Sequence, residues 1–560
     1  MFLKTTKSGK YEYVQVVEAV REHGKPVHKV RLNLGRKDAI VDSPVWQAIA
    51  KKLAVMTGLE APQPKKKSIV DGLDFSDGIV LNWGYLAYRK LWDSLGLGAE
   101  MSVLQAKTKA EFPFADAIFT MVLHHLLNPG SKLSAYEQQV HYASLPSVEL
   151  HHLYRALDIL CEHKETLETN LYAKNYSLLN SEIDVVFYDV TTFAFQSVVA
   201  DGLRDFGYSK DAKFNEVQVV LGMFIDSEGT PLGYDLFKGD TFDGKTLVAA
   251  LASIQKRFGI NRVIIVADRG INSKANLKAI ADAGYGYIVA SRLRSMSTKV
   301  KKQALDISAF EPLSVDKDSG EVLVSMKRLP YKNIVREKGK TTTTLCEDPI
   351  ITRSQKRARK DVADRQRLLE KARKMLAIPG SLDGQLKRSG RRFIKTEKDA
   401  QSKYSLDQEA IDRDAVWDGY YAIQTSEREM SVDKVLEAHH TLWKIEESFR
   451  IMKSALEVRP IYHWTEDRIR GHFVVCFLAF LLERRLEQKL HNNHVEDAAP
   501  LRIRDTLNQL VVTKTSINSE VIYLKSEVPA LAGQILRTLR LKQPTTLSSD
   551  SQWQTWIESL

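Results

Sequence analysis

Residues 183–195, IDVVFYDVTTFAF, decide the fold. They are dense in β-branched and aromatic side chains, which suit a pleated and half-buried surface, so they read as a strand. Outward from it, 216–226 (EVQVVLGMFID) is a second strand, closed by the turn signal Ser227-Glu228-Gly229. Residues 230–239 (TPLGYDLFKG) return as a third, with Pro231 at the strand start, where its missing N–H matters least. A helix over 243–259 (DGKTLVAALASIQKRFG) leads to 262–270 (RVIIVADRG), which is apolar until Asp268 and has the look of a parallel strand buried on both faces. A second helix (SKANLKAIADAG, 273–284) and a fifth strand (YGYIVAS, 285–291) follow. Three antiparallel strands, then helix and parallel strand in alternation, is the order of a ribonuclease-H-like fold. The expected class is α/β, with a mixed five-stranded sheet flanked by helices.

The chain has 560 residues, too many for one ordinary core. Residues 1–65 read as short strands followed by a helix that begins at Ser43-Pro44, a cap and a first-turn proline. Lys4, Lys7, Lys10, Lys25, Lys29, Arg31, Arg36 and Lys37 stud this region, as they would in a small DNA-binding domain or in a merely charged hairpin face. APQPKKKS (61–68) is a linker by composition. Residues 70–180 carry helical periodicity. Adjacent histidines there (His124-His125, His151-His152) point to different sides of a helix and cannot easily share one metal, so they read as core or surface residues. The ribonuclease-H-like core is expected over 181–295 and 431–490. An inserted domain over 296–430 would interrupt it, and a tail over 491–560 reads as helix, strand, helix.

Hydrophobic residues make up 44% and charged residues 27%, ordinary values for a globular protein. The formal net charge is +11, and its location says more than its size. Between 352 and 395 there are fifteen Lys or Arg against four Asp or Glu, an excess as large as that of the whole chain. Such a patch is the usual footprint of a phosphate backbone, with Arg391, Arg392 and Lys395 as contacts. A solvated basic helix is the plainer alternative. The three cysteines, Cys161, Cys346 and Cys476, have no metal-ligand spacing and suit a reducing cytoplasm. The N-terminus has no apolar signal core. The longest apolar run, 473–482, is half what a membrane span needs and reads as a core helix.

Asp189 lies on the first core strand and Asp268 closes the fourth. Those strands are neighbours in a ribonuclease-H-like sheet, so two carboxylates would meet and repel. A divalent cation removes the repulsion, and hard cations such as Mg²⁺ take oxygen ligands. A third ligand should come from a helix packed on the sheet. A single helix over 431–456 carries an apolar face (Ala438, Leu442, Ile445, Phe449, Met452, Leu456) and a second stripe of His439, Trp443, Glu446, Arg450 and Lys453. Glu446 sits mid-stripe beside the buried face, while Glu447 is expected towards solvent. The alternative is that Glu446 only pairs with Arg450 as a helix salt bridge of little worth.

Three passages, FYDVTTFAF, VIIVADRG and LWKIEESFRIMKSALEVRPIYHW, resemble the DDE transposases of bacterial insertion sequences, in the branch with a large insertion before the last carboxylate. GYSKDAKFNEVQVVLGMFID (207–226) adds a looser likeness. That branch carries a Tyr-x-x-Arg-x-x-x-Glu-x-x-x-x-x-x-Lys signature. Glu446 and Lys453 match it, whereas His439 and Leu442 replace its Tyr and Arg. The resemblance implies a metal-dependent enzyme that binds double-stranded DNA at the element's ends, hydrolyses a phosphodiester, and joins the freed 3′-OH to target DNA. It implies two Mg²⁺ ions (Mn²⁺ able to substitute) held by Asp189, Asp268 and Glu446, and a homodimer that synapses two ends, nucleoid-associated in a bacterial cytoplasm. Lys453, Arg450 and His439 would contact DNA, as would Arg468 with Arg470 and His472 at the next helix start, unless that start is simply solvated. Trp443 or Trp464 would stack on a flipped base, or else be core. Two rival readings remain at this point: a nuclease of the same fold that only cuts, and a DNA-binding relic without catalysis.

Overall fold

The computed structural model describes residues 1–22, 25–58, 78–177, 185–209, 213, 215–258, 263–316, 319–336, 342–377, 389–396, 404–517 and 520–560, and the linker read at 61–68 lies outside them. The chain divides into a unit of Lys164–Lys453 with Arg459–Ile461, and a unit of Met1–His163, Ser454–Val458 and Tyr462–Leu560. At the N-terminus, β1 (Phe2–Ser8), β2 (Tyr11–Glu22) and β3 (Lys25–Arg36) form an antiparallel sheet. The helix Pro44–Met56 follows, and Ser43 Oγ accepts from Trp46 N (3.5 Å) as its cap. A short strand β4 (Ile79–Asn82) precedes the helical region.

The core of the Lys164–Lys453 unit has β5 (Val185–Ala194), β6 (Gln218–Ile225), β7 (Pro231–Lys238), β8 (Ile264–Ala267) and β9 (Gly286–Ala290), in the order β7-β6-β5-β8-β9. β5 runs antiparallel to β6 and parallel to β8, which runs parallel to β9. This is the ribonuclease-H-like order. Along β5, Val186, Tyr188 and Val190 point into a core shared with Leu247, Ala250, Leu251 and Ile254 of the helix Asp243–Phe258 and with Leu277 and Ile280 of Lys274–Asp282. Phe187 and Phe193 point the other way and are buried as well. Cover on both faces is why these strands are almost wholly apolar.

The stretch read as an inserted domain continues this sheet. It supplies β10 (Glu311–Val315), β11 (Val322–Arg328), β12 (Tyr331–Val335), β13 (Thr343–Ser354), the small pair β14 (Ile394–Thr396) and β15 (Tyr404–Leu406), and β16 (Tyr420–Thr425). β16 pairs antiparallel with the edge of β9, and β13, β11 and β10 follow outward, with β12 also on β13. An edge strand presents unpaired N–H and C=O groups, and these strands satisfy them. Buried Glu347 on β13 stitches the two parts, accepting from Tyr287 Oη of β9, Gln424 Nε2 of β16 and Asn333 Nδ2 of β12. Burial pushes its carboxyl above the usual range.

In the other unit the helix Glu466–Asn492 is buried without a break from Phe473 to Leu482. A helix apolar all round needs cover on every side, and the helices Phe114–Leu127 and Leu86–Ser94 supply it. The tail is richer than helix, strand, helix. It holds the helices Pro500–Asn508, Ala530–Thr538 and Asp550–Glu558, with β17 (Val511–Ile517), β18 (Glu520–Lys525) and β19 (Leu547–Ser549). β4 pairs with β17 and completes a four-stranded sheet. A pairing between opposite ends of the chain leaves no local pattern.

Gly222 on β6 exists to let Tyr188 pass. A Cβ there would lie 2.4 Å from Tyr188 Oη, which donates to Thr246 Oγ1 (2.8 Å). Gly222→Ala is expected to cost about 1–3 kcal/mol through this overpacking. An unchanged urea midpoint would show that Tyr188 is not held there.

Candidate functional site

Strand register builds the site. Between the parallel strands β5 and β8, Val185 pairs with Ile264, Val186 with Ile265 and Phe187 with Val266. Carried two residues further, the same register sets Asp189 beside Asp268, the first residue past β8. Residues two apart share a face, so both carboxylates lie on the Phe187 side, opposite the helices Asp243–Phe258 and Lys274–Asp282. Asp189 is half-buried, and its Oδ1 accepts from Val190 N (2.7 Å). Asp268 is exposed, and its Oδ1 accepts from Gly270 N (2.7 Å) and Ile271 N (3.3 Å). Arg292 clamps this turn, donating to the carbonyls of Arg269 (3.1 Å) and Gly270 (3.4 Å).

The single helix expected over 431–456 is broken. Val432–His440 ends at Thr441, Trp443–Arg450 begins after Leu442, and Ile451–Ala455 is a π-helical turn. The first piece packs on β8, β9 and β16, and the second on β5. Lys444 Nζ ties the second to the β6–β7 turn through the Ser227 carbonyl (2.6 Å). Lys453 Nζ lies over the Phe193 ring (5.6 Å), on the same face of β5 as Asp189.

The break corrects the helical phase. Glu446 is exposed, and among the described residues it makes no ion pair. Glu447, read as the solvent-facing residue, is only 25% exposed in its side chain and pairs with Arg450 (3.2 Å). The alternative salt bridge between Glu446 and Arg450 is thus replaced by one that leaves Glu446 out. The carboxylates of Asp189, Asp268 and Glu446 are not among the groups whose ligand atoms all lie within 4.8 Å of one another. Three like charges repel, and a site for two ions about 3.5–4 Å apart needs its outer ligands further apart than a site for one.

His439 ends the first helix piece, and its Nε2 meets Tyr421 Oη (3.4 Å). Burial, with His440 adding to it, holds the ring down to about 4, against the pull of Asp268. It is therefore neutral at pH 7. Arg357 stacks over Tyr421 (4.5 Å), and beside it opens a cleft of about 500 Å³ lined by Arg269, Arg292, Arg294, Arg357, Arg365 and Arg392. Asp414 holds three of these, Arg294, Arg392 (3.3 Å) and Arg365 (3.6 Å). Of the six, only Arg392 stood out in the sequence. Arg269 has a local signal, since it directly follows Asp268, and Arg357 and Arg365 lie in the basic stretch. Nothing local marks Arg292 or Arg294.

The remaining residues scatter. Arg391 stacks over Tyr404 (5.3 Å), and Lys395 is exposed on β14. Trp443 is 49% exposed. In the other unit Trp464 is also exposed, while Arg468 pairs with Asp158 (3.3 Å) and stacks over Tyr154 (5.2 Å). His472 is buried and so is no DNA contact. Among the described residues no helix is long and apolar enough to cross a membrane.

Comparison with known proteins adds two family matches. The transposase DDE domain matches residues 180–482, and the IS1634 family transposase N-terminal domain matches residues 3–62. No curated protein matches the chain. Among solved structures, the piggyBac transposase synaptic complex with hairpin DNA is 9% identical over 86% of each chain, with a TM-score of 0.36. The Mos1 transposase paired-end complex with left transposon end is 12% identical over 44% of this chain and 68% of that one, with a TM-score of 0.15. A pre-cleavage Mos1 transpososome has the same identity and coverage and a TM-score of 0.14. Likenesses this remote carry no argument, and the fold rests on the strand order above.

Burial also holds His124 to about 4 and His463 to about 3. In the unfolded chain such rings titrate near about 6.5. Below that pH the unfolded state binds more protons, so stability is complete above about 6.5 and falls as pH drops towards 4. Each ring removes about 1.4 kcal/mol per pH unit in that window. Urea midpoints measured from pH 7 to about 4.5 should fall, and His439→Gln should flatten the slope. A midpoint independent of pH would mean that these rings are not held neutral.

Proposed function

The chain belongs to the DDE transposases of insertion sequences, and on that premise we propose that it cuts a DNA phosphodiester at each end of its element and joins the freed 3′-OH to target DNA. The observation that carries this reading is the parallel register of β5 and β8, which runs towards Asp189 on β5 and Asp268 just past β8, together with the packing of the Glu446 helix on β5. The donor set fits a hard divalent cation. It comprises three carboxylates, with Glu446 free of any ion pair among the described residues and Asp268 bonded to its turn through Oδ1.

Asp189, Asp268 and Glu446 would hold two Mg²⁺ ions, with Mn²⁺ able to replace them. Such ions lower the pKa of an attacking water and offset the charge that builds on the attacking and leaving oxygens. The chain's own groups do the rest. The clamped Asp268 turn and the paired strands fix two carboxylates before substrate arrives, which avoids reorganisation during the reaction. Lys453 lies over Phe193 on the same face and positions a phosphate next to the cut. Arg450, His439 and Trp443 extend that contact along the helix. Arg391, Arg392 and Lys395 hold the DNA backbone further out. Double-stranded DNA at the element's ends and at the target is the substrate, gripped by a homodimer, in a bacterial cytoplasm and on the nucleoid when bound.

Asp189→Asn and Glu446→Gln should each lower cleavage in Mg²⁺ by at least about 10³-fold, as loss of a charge-stabilising group does, with DNA affinity nearly unchanged. Glu447→Gln should cut within a few-fold of wild type, and full activity of Glu446→Gln would refute the assignment. A pre-cut end with a free 3′-OH, incubated with a plasmid, should be joined to it; cutting without joining would favour a nuclease. Neutralising Arg391, Arg392 and Lys395 together should weaken binding to every sequence and flatten its salt dependence, by up to about 0.9 in log–log slope for each phosphate no longer neutralised. An effect on one sequence alone would mean that the patch reads bases.

A further inference from the structure

The cleft lined by six arginines opens where three strands end. Ser291 follows β9 directly, Tyr420 begins β16, and Asp268 comes just after β8. β8 and β9 run parallel, and β16 runs antiparallel to β9, so the three segments lie at one end of the sheet. Arg292 joins the cleft to the carboxylate turn, since the guanidinium that lines the one donates to the Arg269 and Gly270 carbonyls of the other.

Two polar atoms of the lining lack a hydrogen bond. Ser291 is only 3% exposed, and its Oγ has no partner among the described residues. Arg357 Nε is buried without one as well, and Asp361, its ion-pair partner, stands 3.7 Å away. Folded proteins rarely leave buried polar groups unmet, and both of these atoms can donate. Charge points to the same kind of ligand. Six guanidiniums face the carboxylates of Asp361, Asp364 and Asp414, and Asp418 pairs with Arg365. Six positive charges against four negative leave a surplus of two. A nucleobase fits less well, because the aromatic side chains there are already engaged. Arg357 stacks over Tyr421 (4.5 Å), Arg353 lies over Tyr420 (5.8 Å), and Trp417 is buried.

We propose that this cleft holds a terminal 5′-phosphate of DNA, the one left on the flanking strand when the element's end is cut. The inference rests on the cutting reaction proposed above. In that step the water oxygen bonds to phosphorus, the bond from phosphorus to the 3′-oxygen breaks, and the 3′-oxygen takes up a proton. The phosphate stays on the 5′-carbon of the flank as a monoester. A phosphate monoester carries about −1.5 to −2 at pH 7, which matches the surplus in the cleft. An internal diester carries a single charge and leaves part of that surplus unmet. Guanidinium groups bond phosphate oxygens in pairs, and Ser291 Oγ and Arg357 Nε add the donors that now lack acceptors. The cleft therefore retains the cut flank beside the carboxylates.

Two duplexes of one arbitrary sequence, differing only in a 5′-phosphate or a 5′-hydroxyl at one end, test this. Their affinities are measured by fluorescence anisotropy with full-length protein in EDTA, where no cutting occurs. The phosphorylated duplex should bind at least about 10-fold tighter, the worth of one hydrogen bond to a charged group. Ser291→Ala and Arg357→Gln should each lower that ratio by about 3-fold or more. Arg391→Gln/Lys395→Gln, outside the cleft, should weaken both duplexes alike and keep the ratio. Equal binding of the two duplexes by wild-type protein, or a ratio unchanged in both cleft variants, would overturn the proposal. Ser291→Ala removes only an unbonded oxygen, so the test does not hang on folding. Cutting of an intact element end in Mg²⁺, measured alongside, separates the two readings. Wild-type protein that cuts but binds both duplexes alike refutes the 5′-phosphate site alone, whereas protein that does not cut refutes the transposition reading beneath it.

Discussion

The parallel pairing of β5 with β8 is the constraint on which the rest of the Lys164–Lys453 unit depends. Its register, carried past the end of β8, points to two carboxylates of like charge at one level, Asp189 on β5 and Asp268 just beyond β8. That arrangement is costly by itself. It is tolerated because both strands are sealed by apolar side chains on their two faces and cannot slip. A slip of one residue would turn every buried side chain to the wrong face and carry Asp189 away from Asp268.

Two features protect that register. On one side Gly222 admits the Tyr188 ring, which reaches Thr246 on the covering helix. On the other, β16 and β13 cover the edge of β9, and Glu347 bonds across three strands. Residues 296–430 therefore extend the sheet that holds the acids and also bring basic groups to its end. Arg357 from the long basic helix and Arg292 and Arg294 from beyond β9 converge with Arg269 in one cleft. Crowded guanidinium groups repel, and Asp414 offsets that repulsion while keeping three of them in place.

The helix bearing Glu446 shows how a small irregularity changes a site. The interruption at Thr441–Leu442 and the π-helical turn at Ile451–Ala455 redistribute the side chains round the axis. Glu447 takes Arg450, and Glu446 stands exposed. A continuous helix would have kept the phase that the apolar spacing suggests.

The sequence by itself determined the five core strands, their order and the helices between them, because burial writes periods of two and 3.6 into local stretches. It also singled out Asp189, Asp268 and Glu446, whose neighbours in the chain are informative. Only the tertiary structure decided that the 296–430 strands extend the core sheet and that six arginines from scattered segments share one cleft. It also broke the helix expected over 431–456 into separate pieces. Each of these outcomes rests on contacts between residues far apart in the chain, or on a choice between helix faces that differ by one step of rotation. Local periodicity records that a side chain is buried but not what it is buried against.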